Sequence, residues 1–188
     1  MRRNKIKITL LAVLVALLTL ITQSTLAYYT VTGTAENVIT SGDISAKIIE
    51  KMGDVDFPEE GVYVMPGSVV SKKVSVLNTG GNPFWLRVKL TNRVDGAALQ
   101  TDITKLDINT ENWTAGDDGY YYYYRVLEPE EETEKLFTEV EIVGSVVDSS
   151  YMGKILNLTV SAYAVQSQNN GDSPFTATGW PAEGGESV

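Results

Sequence analysis

Several segments of the chain alternate apolar and polar residues with period two, which is the pattern of strands buried on one face. In the clearest segment, Phe84, Leu86 and Val88 fall on one side, while Trp85 and Arg87 fall on the other. The same alternation recurs in residues 41–51, 67–78, 134–143 and 154–165. Turn-forming residues separate these segments and no long amphipathic helix interrupts them. The pattern therefore predicts an all-β fold, an antiparallel β-sandwich with jelly-roll or Greek-key connections.

The N-terminus has the composition of an export signal. Four basic residues within the first seven positions are followed by an unbroken apolar run over residues 8–21. This run is shorter than the ~20 residues that a permanent transmembrane helix needs. The small residues that end at Ala27 predict cleavage between Ala27 and Tyr28, so we expect residues 1–27 to be a cleavable signal peptide and the protein to be secreted. An uncleaved N-terminal anchor is the alternative.

Composition and charge exclude several classes of function. The whole chain has a formal net charge of −9, and loss of the four basic residues of the signal leaves 11 Lys and Arg against 24 Asp and Glu, a charge of −13. Such a charge disfavours nucleic acid and anionic membranes as partners. The chain has no Cys and no His. This inventory excludes disulfides, zinc sites built from these residues, and Ser-His-Asp triads.

The acidic residues do not define a site either. The acid-rich loops lack the ligand spacing of an EF-hand, and no two carboxylates are set apart as a hydrolytic pair. We therefore predict that the protein is not an enzyme and has no catalytic residues, no cofactor and no metal site. A calcium site in an acidic loop and a hydrolase that uses carboxylates are the alternatives.

Five consecutive tyrosines, residues 120–124, are the most conspicuous feature of the chain. In a strand, alternate rings point to opposite faces, so one face can bury its rings while the other shows them to solvent. Exposed aromatic rings stack on sugars or contact other proteins. One interpretation is a secreted carbohydrate-binding or adhesion module, and the other is an ordinary packed strand. The candidate binding face consists of Trp85, Trp113, Tyr121 and Tyr123.

The segment after the predicted cleavage site has the composition of a strand. β-forming residues run from Tyr28 to Thr32, then come Gly33 and a polar stretch. A strand at the extreme N-terminus can add to the open sheet edge of a neighbouring subunit, and head-to-tail addition of this kind propagates as a filament. In the alternative, the strand folds back into its own sheet. The residues assigned to the assembly strand are Tyr28, Tyr29, Val31, Val38 and Ile39.

These observations divide the mature chain into three parts. Residues 28–41 form the assembly strand and its joint, and residues 42–166 form the β-sandwich domain. After residue 166 the alternation stops, and residues 167–188 are rich in Gly, Asn, Ser and Pro. This composition is typical of a flexible C-terminal tail.

The order of several short motifs resembles one known family. The aromatic start at Tyr28, the Ser41-Gly42 turn, the strand that begins at Ile44, the Pro66-Gly67 turn and the Asn78-Thr79-Gly80 turn follow one another as in the TasA and camelysin (CalY) group of exported Gram-positive proteins. The later segment around the tyrosine run is similar to pilin-like biofilm-matrix members of this group. The chain lacks the long insertions of the larger matrix proteins.

The resemblance implies a jelly-roll β-sandwich that is cleaved by a SipW-type signal peptidase and joins extracellular, cell-surface associated matrix fibres. In such fibres the freed N-terminal strand completes the sheet of the next subunit. The implied partners are other copies of the chain or related matrix subunits, with polysaccharide as a further candidate. Camelysin-type members have also been described as proteases, which we do not expect here because the chain lacks the usual metal ligands.

Overall fold

The computed structural model describes residues 29–38, 43–95, 97–98, 103–147, 151 and 153–182. The predicted signal peptide, Tyr28 and Ile39 lie outside the described residues. No helix within the described part of the chain has the length and apolar character to cross a lipid bilayer. The strands are β1 Tyr29–Val38, β2 Ala46–Met52, β3 Val55–Asp56, β4 Val62–Val64, β5 Val69–Asn78, β6 Phe84–Val94, β7 Ala97–Ala98, β8 Thr104–Leu106, β9 Trp113–Ala115, β10 Tyr120–Tyr123, β11 Phe137–Ile142 and β12 Ile155–Gln166.

The strands form two packed sheets, which confirms the predicted all-β sandwich. The larger sheet has the order β4-β1-β12-β6-β10-β9, with β7 paired to β6, and the smaller sheet has the order β3-β2-β5-β11-β8. Neighbouring strands are antiparallel except for β1 and β12, which run parallel. The jelly-roll or Greek-key form of the connections stays a prediction.

The core lies between the sheets and is built from the inward residues of the alternating segments. In β6, Phe84, Leu86 and Val88 are completely buried, as the alternation predicts. Strand β12 faces the same core with Leu158 and Val160, and it pairs with β6 through eleven residue pairs. The long β6–β12 ladder therefore places two apolar faces side by side, and their burial drives the packing of the sheets.

Strand β1 lies inside the larger sheet of its own chain. It pairs in parallel with β12 over nine residue pairs, from Thr30 opposite Ile155 to Val38 opposite Tyr163, and antiparallel with β4. Val31 is completely buried in the core. The predicted boundary at residue 42 therefore does not separate this strand from the sandwich, because its apolar side chain fills space between the sheets.

The segment after β12 differs from the flexible tail that composition predicts. Within the described residues 167–182, the Asn170 side chain accepts a hydrogen bond from the Thr178 backbone N–H at 2.9 Å and donates one to the Thr178 carbonyl at 3.0 Å. Ala177 is buried against the sheet, and the rings of Phe175 and Trp180 contact Tyr122. Asn-centred turns and two aromatic anchors thus fold the segment back onto the larger sheet.

We expect Val31→Ala to lower the free energy of unfolding by roughly 2 kcal/mol, because it removes two buried methyl groups and leaves a cavity. Thr30→Val is the matched control, since Thr30 is half-buried on the opposite face of the strand, and we expect a change of less than about 0.5 kcal/mol. Urea unfolding of the chain that starts at Tyr28 measures both. Equal stability of the Val31→Ala variant and the unsubstituted chain would show that β1 is not part of the core.

Candidate functional site

The candidate site is the groove between β4 and β12 that holds β1. The β12 side of the groove is long, since nine residues of β1 pair with it, whereas β4 pairs only with Tyr29, Thr30 and Val31. Without β1, β12 would present a long row of unpaired backbone N–H and C=O groups, which is a template for another strand. In this structure the N-terminal strand of the same chain fills the groove between β4 and β12.

A buried ion pair forms the floor of the groove. The Lys72 Nζ of β5 lies 2.7 Å from Glu50 Oε2 of β2, and the Lys72 side chain is fully buried. The same Nζ lies 4.0 Å from the ring centroid of Phe57, a cation–π distance. Gly33 of β1 packs directly over the pair, because a Cβ at this position would overlap with both Lys72 Nζ and Glu50 Oε2.

The two charges are close but incompletely hydrogen-bonded. The distance is that of an ion pair, yet within the described residues Lys72 Nζ has no hydrogen-bond partner of acceptable geometry, and Glu50 Oε1 is also buried without one. Burial lowers the pKa of Lys72 below its ordinary value, and the neighbouring Glu50 carboxylate opposes this shift. A buried pair of this kind contributes little net stability, whereas loss of one partner leaves an uncompensated charge.

Sequence analysis missed this pair, although the alternation contains the signal for it. Glu50 follows Ile44, Ala46 and Ile48 at the next inward position of its strand. Lys72 occupies an inward position of β5 in the same way, two residues before the buried Val74. Charged residues at inward positions of two neighbouring strands are the feature that predicts a buried pair.

The residues assigned to the assembly strand are only partly described. Tyr29 begins β1, Val31 is buried in the core, and the backbone of Val38 pairs with Tyr163. Ala27, Tyr28 and Ile39 lie outside the described residues. Among the residues assigned to the assembly strand, Val31 is therefore the one whose side chain is described in contact with the core.

The four rings of the candidate binding face do not share an exposed surface. Trp113 and Tyr123 are buried in the core with their ring centroids 5.0 Å apart. The Trp113 Nε1–H donates to the Glu134 carbonyl at 3.2 Å, and the Tyr123 hydroxyl donates to the Glu134 carboxylate. Burial and this carboxylate raise the pKa of Tyr123, which keeps the phenol protonated. Trp85 lies on the other face of the sheet and is covered, with its Nε1–H donating to the Asn170 carbonyl at 3.0 Å.

Tyr121 is the half-buried ring of this set, and it lines a cleft between the sheets. The cleft has a volume of about 380 Å³ and is also lined by Leu90, Asn92 and Leu106. The Asn92 amide donates to the Thr104 hydroxyl at 2.8 Å. Its Oδ1 is buried without a hydrogen-bond partner among the described residues.

The other tyrosine face is covered by the C-terminal segment. The Arg87 guanidinium lies 3.8 Å from the ring centroid of Tyr120 and 4.7 Å from that of Trp180. It also lies 3.5 Å from an Asp118 carboxylate oxygen that accepts a hydrogen bond from the Tyr122 hydroxyl at 2.7 Å. The arginine thus fills the space between the tyrosine strand and the C-terminal segment, so these rings have packing partners within the chain.

The described residues contain no group of three or more His, Cys, Asp or Glu side chains that could hold a metal ion. No known protein family, curated protein or solved structure matches the chain.

We expect Lys72→Met to destabilise the fold by about 3 to 5 kcal/mol, because it leaves the Glu50 carboxylate buried without a cation. The double variant Glu50→Met, Lys72→Met removes both charges and keeps two side chains of similar length, so we expect it to be close to the unsubstituted chain in stability. Urea unfolding of the three chains makes the comparison. A double variant as unstable as Lys72→Met would mean that the ion pair itself stabilises the fold.

Stability should also depend on pH through Lys72. Its pKa is lowered from 10.5 in the folded state, so between the folded pKa and 10.5 the unfolded chain binds more protons. The contribution of Lys72 to the free energy of unfolding therefore rises with pH across this interval. We expect the free energy of unfolding to rise from about pH 7 to about pH 10 more in the unsubstituted chain than in the double methionine variant.

Lys47→Met is the control for this measurement, because Lys47 is exposed in the same strand as Glu50. It should leave the pH profile of the unsubstituted chain unchanged. Parallel profiles for the unsubstituted chain and the double methionine variant would contradict a lowered pKa at Lys72.

Proposed function

We propose that this chain is a secreted, non-enzymatic structural subunit of extracellular biofilm-matrix or pilus-like fibres. In this proposal the subunits assemble by donating the N-terminal strand β1 after signal cleavage. The observation that carries the proposal is the position of β1, which is the first strand of the described chain and fills a long groove between β4 and β12. The resemblance of the motif order to TasA and camelysin proteins supports the extracellular fibre as the setting.

Exchange of β1 between subunits requires no new type of contact. A strand from a second copy could form the same ladder with β12 and place its Val31 in the same core position. Because the predicted cleavage after Ala27 places β1 at the N-terminus of the mature chain, the strand can leave without pulling another strand from the sheet. The groove and the donated strand are different parts of the subunit, so the contact is head-to-tail, and in the proposed assembly it continues as an open filament instead of closing into a ring.

Cleavage and charge would control the assembly. The predicted signal peptide directly precedes β1 in the sequence, so an attached signal would hold this strand at the membrane. After cleavage, the charge of −13 calculated for the chain from Tyr28 opposes association. Mild acid protonates carboxylates and reduces this repulsion, and it therefore favours fibres.

The burial of most of the candidate binding face weighs against the alternative of a carbohydrate-binding or adhesion module. Three of the four rings assigned to the stacking face, Trp85, Trp113 and Tyr123, are buried within the subunit. A platform for sugars needs exposed ring faces. A glycan array probed with the chain that starts at Tyr28 tests this alternative. If the alternative holds, the chain binds at least one class of glycan specifically.

A reversible disulfide can test strand donation, because the chain contains no Cys. Thr32 lies opposite Asn157 across the β1–β12 ladder, and the Thr32 hydroxyl contacts the Asn157 amide oxygen. In the Thr32→Cys, Asn157→Cys variant, oxidation of the monomer locks β1 into its own groove. We expect no fibres by negative-stain electron microscopy after oxidation and fibres in mild acid after reduction. Oxidation after assembly should link subunits into a ladder of multimers on a denaturing gel.

The matched control is Thr91→Cys, Thr159→Cys, which links β6 to β12 in the same sheet. This disulfide leaves β1 free, so the oxidised control should assemble and run as a monomer on the gel. Fibres from the chain with β1 locked in its own groove would contradict strand donation and would require another assembly surface.

A further inference from the structure

The contact between Gly33 and the buried ion pair restricts which strand the groove accepts. A Cβ at residue 33 would lie closer than 3.0 Å to both Lys72 Nζ and Glu50 Oε2, so the charged end of one of these side chains would have to move to make room for it. Gly33 is not among the glycines with positive φ. Its backbone conformation would therefore tolerate a side chain, and the requirement for glycine comes from the space above the pair.

The pair has little freedom to move away from an added methyl group. Lys72 is fully buried, and its Nζ is confined between the Glu50 carboxylate and the ring of Phe57. The Phe57 backbone N–H in turn donates to the Glu50 carbonyl at 2.9 Å. Displacing one charge without the other would separate the ion pair inside the protein, where an uncompensated charge is costly.

The same contact fixes the register of the strand. Residues 29–38 contain a single glycine, so only one alignment places a residue without a side chain over the ion pair. A slip of one residue would bring Thr32 or Thr34 to the pair and turn Val31 away from the core. A slip of two residues would bring Val31 or Ala35 there, and each of these carries a Cβ.

The β4 side of the groove adds a second restriction. Gly61, just before β4, lies so close to β1 that a Cβ there would overlap with the Val31 carbonyl and crowd the Thr32 methyl group. Gly61 also has a positive φ of 76°, which favours glycine. The backbone of β1 is therefore held closely at the two positions that precede Gly33.

We infer that the Lys72–Glu50 pair is a selectivity element that admits only a strand with an apolar residue followed two positions later by glycine. Val31 and Gly33 meet this requirement, so the partner that fits the groove is the N-terminal strand of a second copy of this chain. This inference rests on the proposed function, because it assigns the specificity of strand donation. The buried pair makes the groove reject strands that have a side chain at the position of Gly33.

Two full chains that start at Tyr28 test the inference, each with one cysteine. The acceptor carries Asn157→Cys and an affinity tag, and the donor carries Thr32→Cys. A disulfide between them forms when donor β1 enters the acceptor groove in the register of the structure. The donor is compared with and without Gly33→Ala, and the cross-linked dimer is quantified on a denaturing gel after mild oxidation. An acceptor with Thr114→Cys, at an exposed position of β9, measures chance cross-linking.

We expect Gly33→Ala in the donor to reduce the cross-linked dimer by about tenfold or more. Ala35→Val is the matched control, because it enlarges an exposed residue of the same strand, and it should change the yield by less than about twofold. Gly33→Ala also weakens the binding of the donor's β1 in the donor's own groove. A loss of cross-linking therefore cannot come from a donor strand that is held more tightly.

An acceptor with Glu50→Ala, Lys72→Ala removes both charges and opens space below residue 33. It should accept the Gly33→Ala donor as well as the unsubstituted donor, and its folding is checked by circular dichroism. Equal cross-linking of both donors to the acceptor with an intact ion pair would overturn the selectivity and leave strand donation standing. Chance-level cross-linking from every donor would overturn the selectivity and the proposed function together.

Discussion

Strand β12 is paired on both sides along most of its length, and the larger sheet depends on this double pairing. On one side, β6 forms an antiparallel ladder from Leu156 to Gln166, and on the other, β1 forms a parallel ladder from Ile155 to Tyr163. The two neighbours are not equivalent, because β6 is an internal strand that also carries β10, whereas β1 is the first strand of the described chain. One long side of β12 is thus completed by the strand that the proposed assembly would exchange between copies.

Local periodicity was sufficient to predict the class of fold but not the pairing of its strands. The inward residues Phe84, Leu86 and Val88 are buried as the alternation predicts, because one polar and one apolar face suffice to define a half-buried strand. The parallel pairing of β1 with β12 joins segments more than a hundred residues apart. Such pairing depends on which edges remain open once all strands are placed, and a local pattern does not contain that information.

For a related reason, the sequence alone did not distinguish the exposed aromatic residues from the buried ones. Alternation along a tyrosine strand predicts that one of its two faces is exposed to solvent. In the structure, however, Tyr123 is buried in the core, and Tyr120 and Tyr122 are covered on the opposite face. The cover is the segment after β12, whose Gly, Asn and Ser content is typical of a tail. Asn170 instead organises turns that bring Trp180 onto Arg87. Composition describes the average behaviour of such a segment and does not reveal two aromatic anchors that match a particular surface.

Affinity and specificity for β1 have separate physical sources in the groove. Val31 supplies buried apolar area and the backbone supplies hydrogen bonds, both of which favour any apolar strand of suitable length. The ion pair below Gly33 adds little to stability, because the cost of burying two charges offsets their attraction. A strand with a side chain at this position would nevertheless overlap with the pair unless a charged end moved, and the inferred selectivity comes from this overlap. In the proposed assembly, a groove built in this way would release its own strand and still discriminate among incoming strands, and an exchangeable subunit needs both properties.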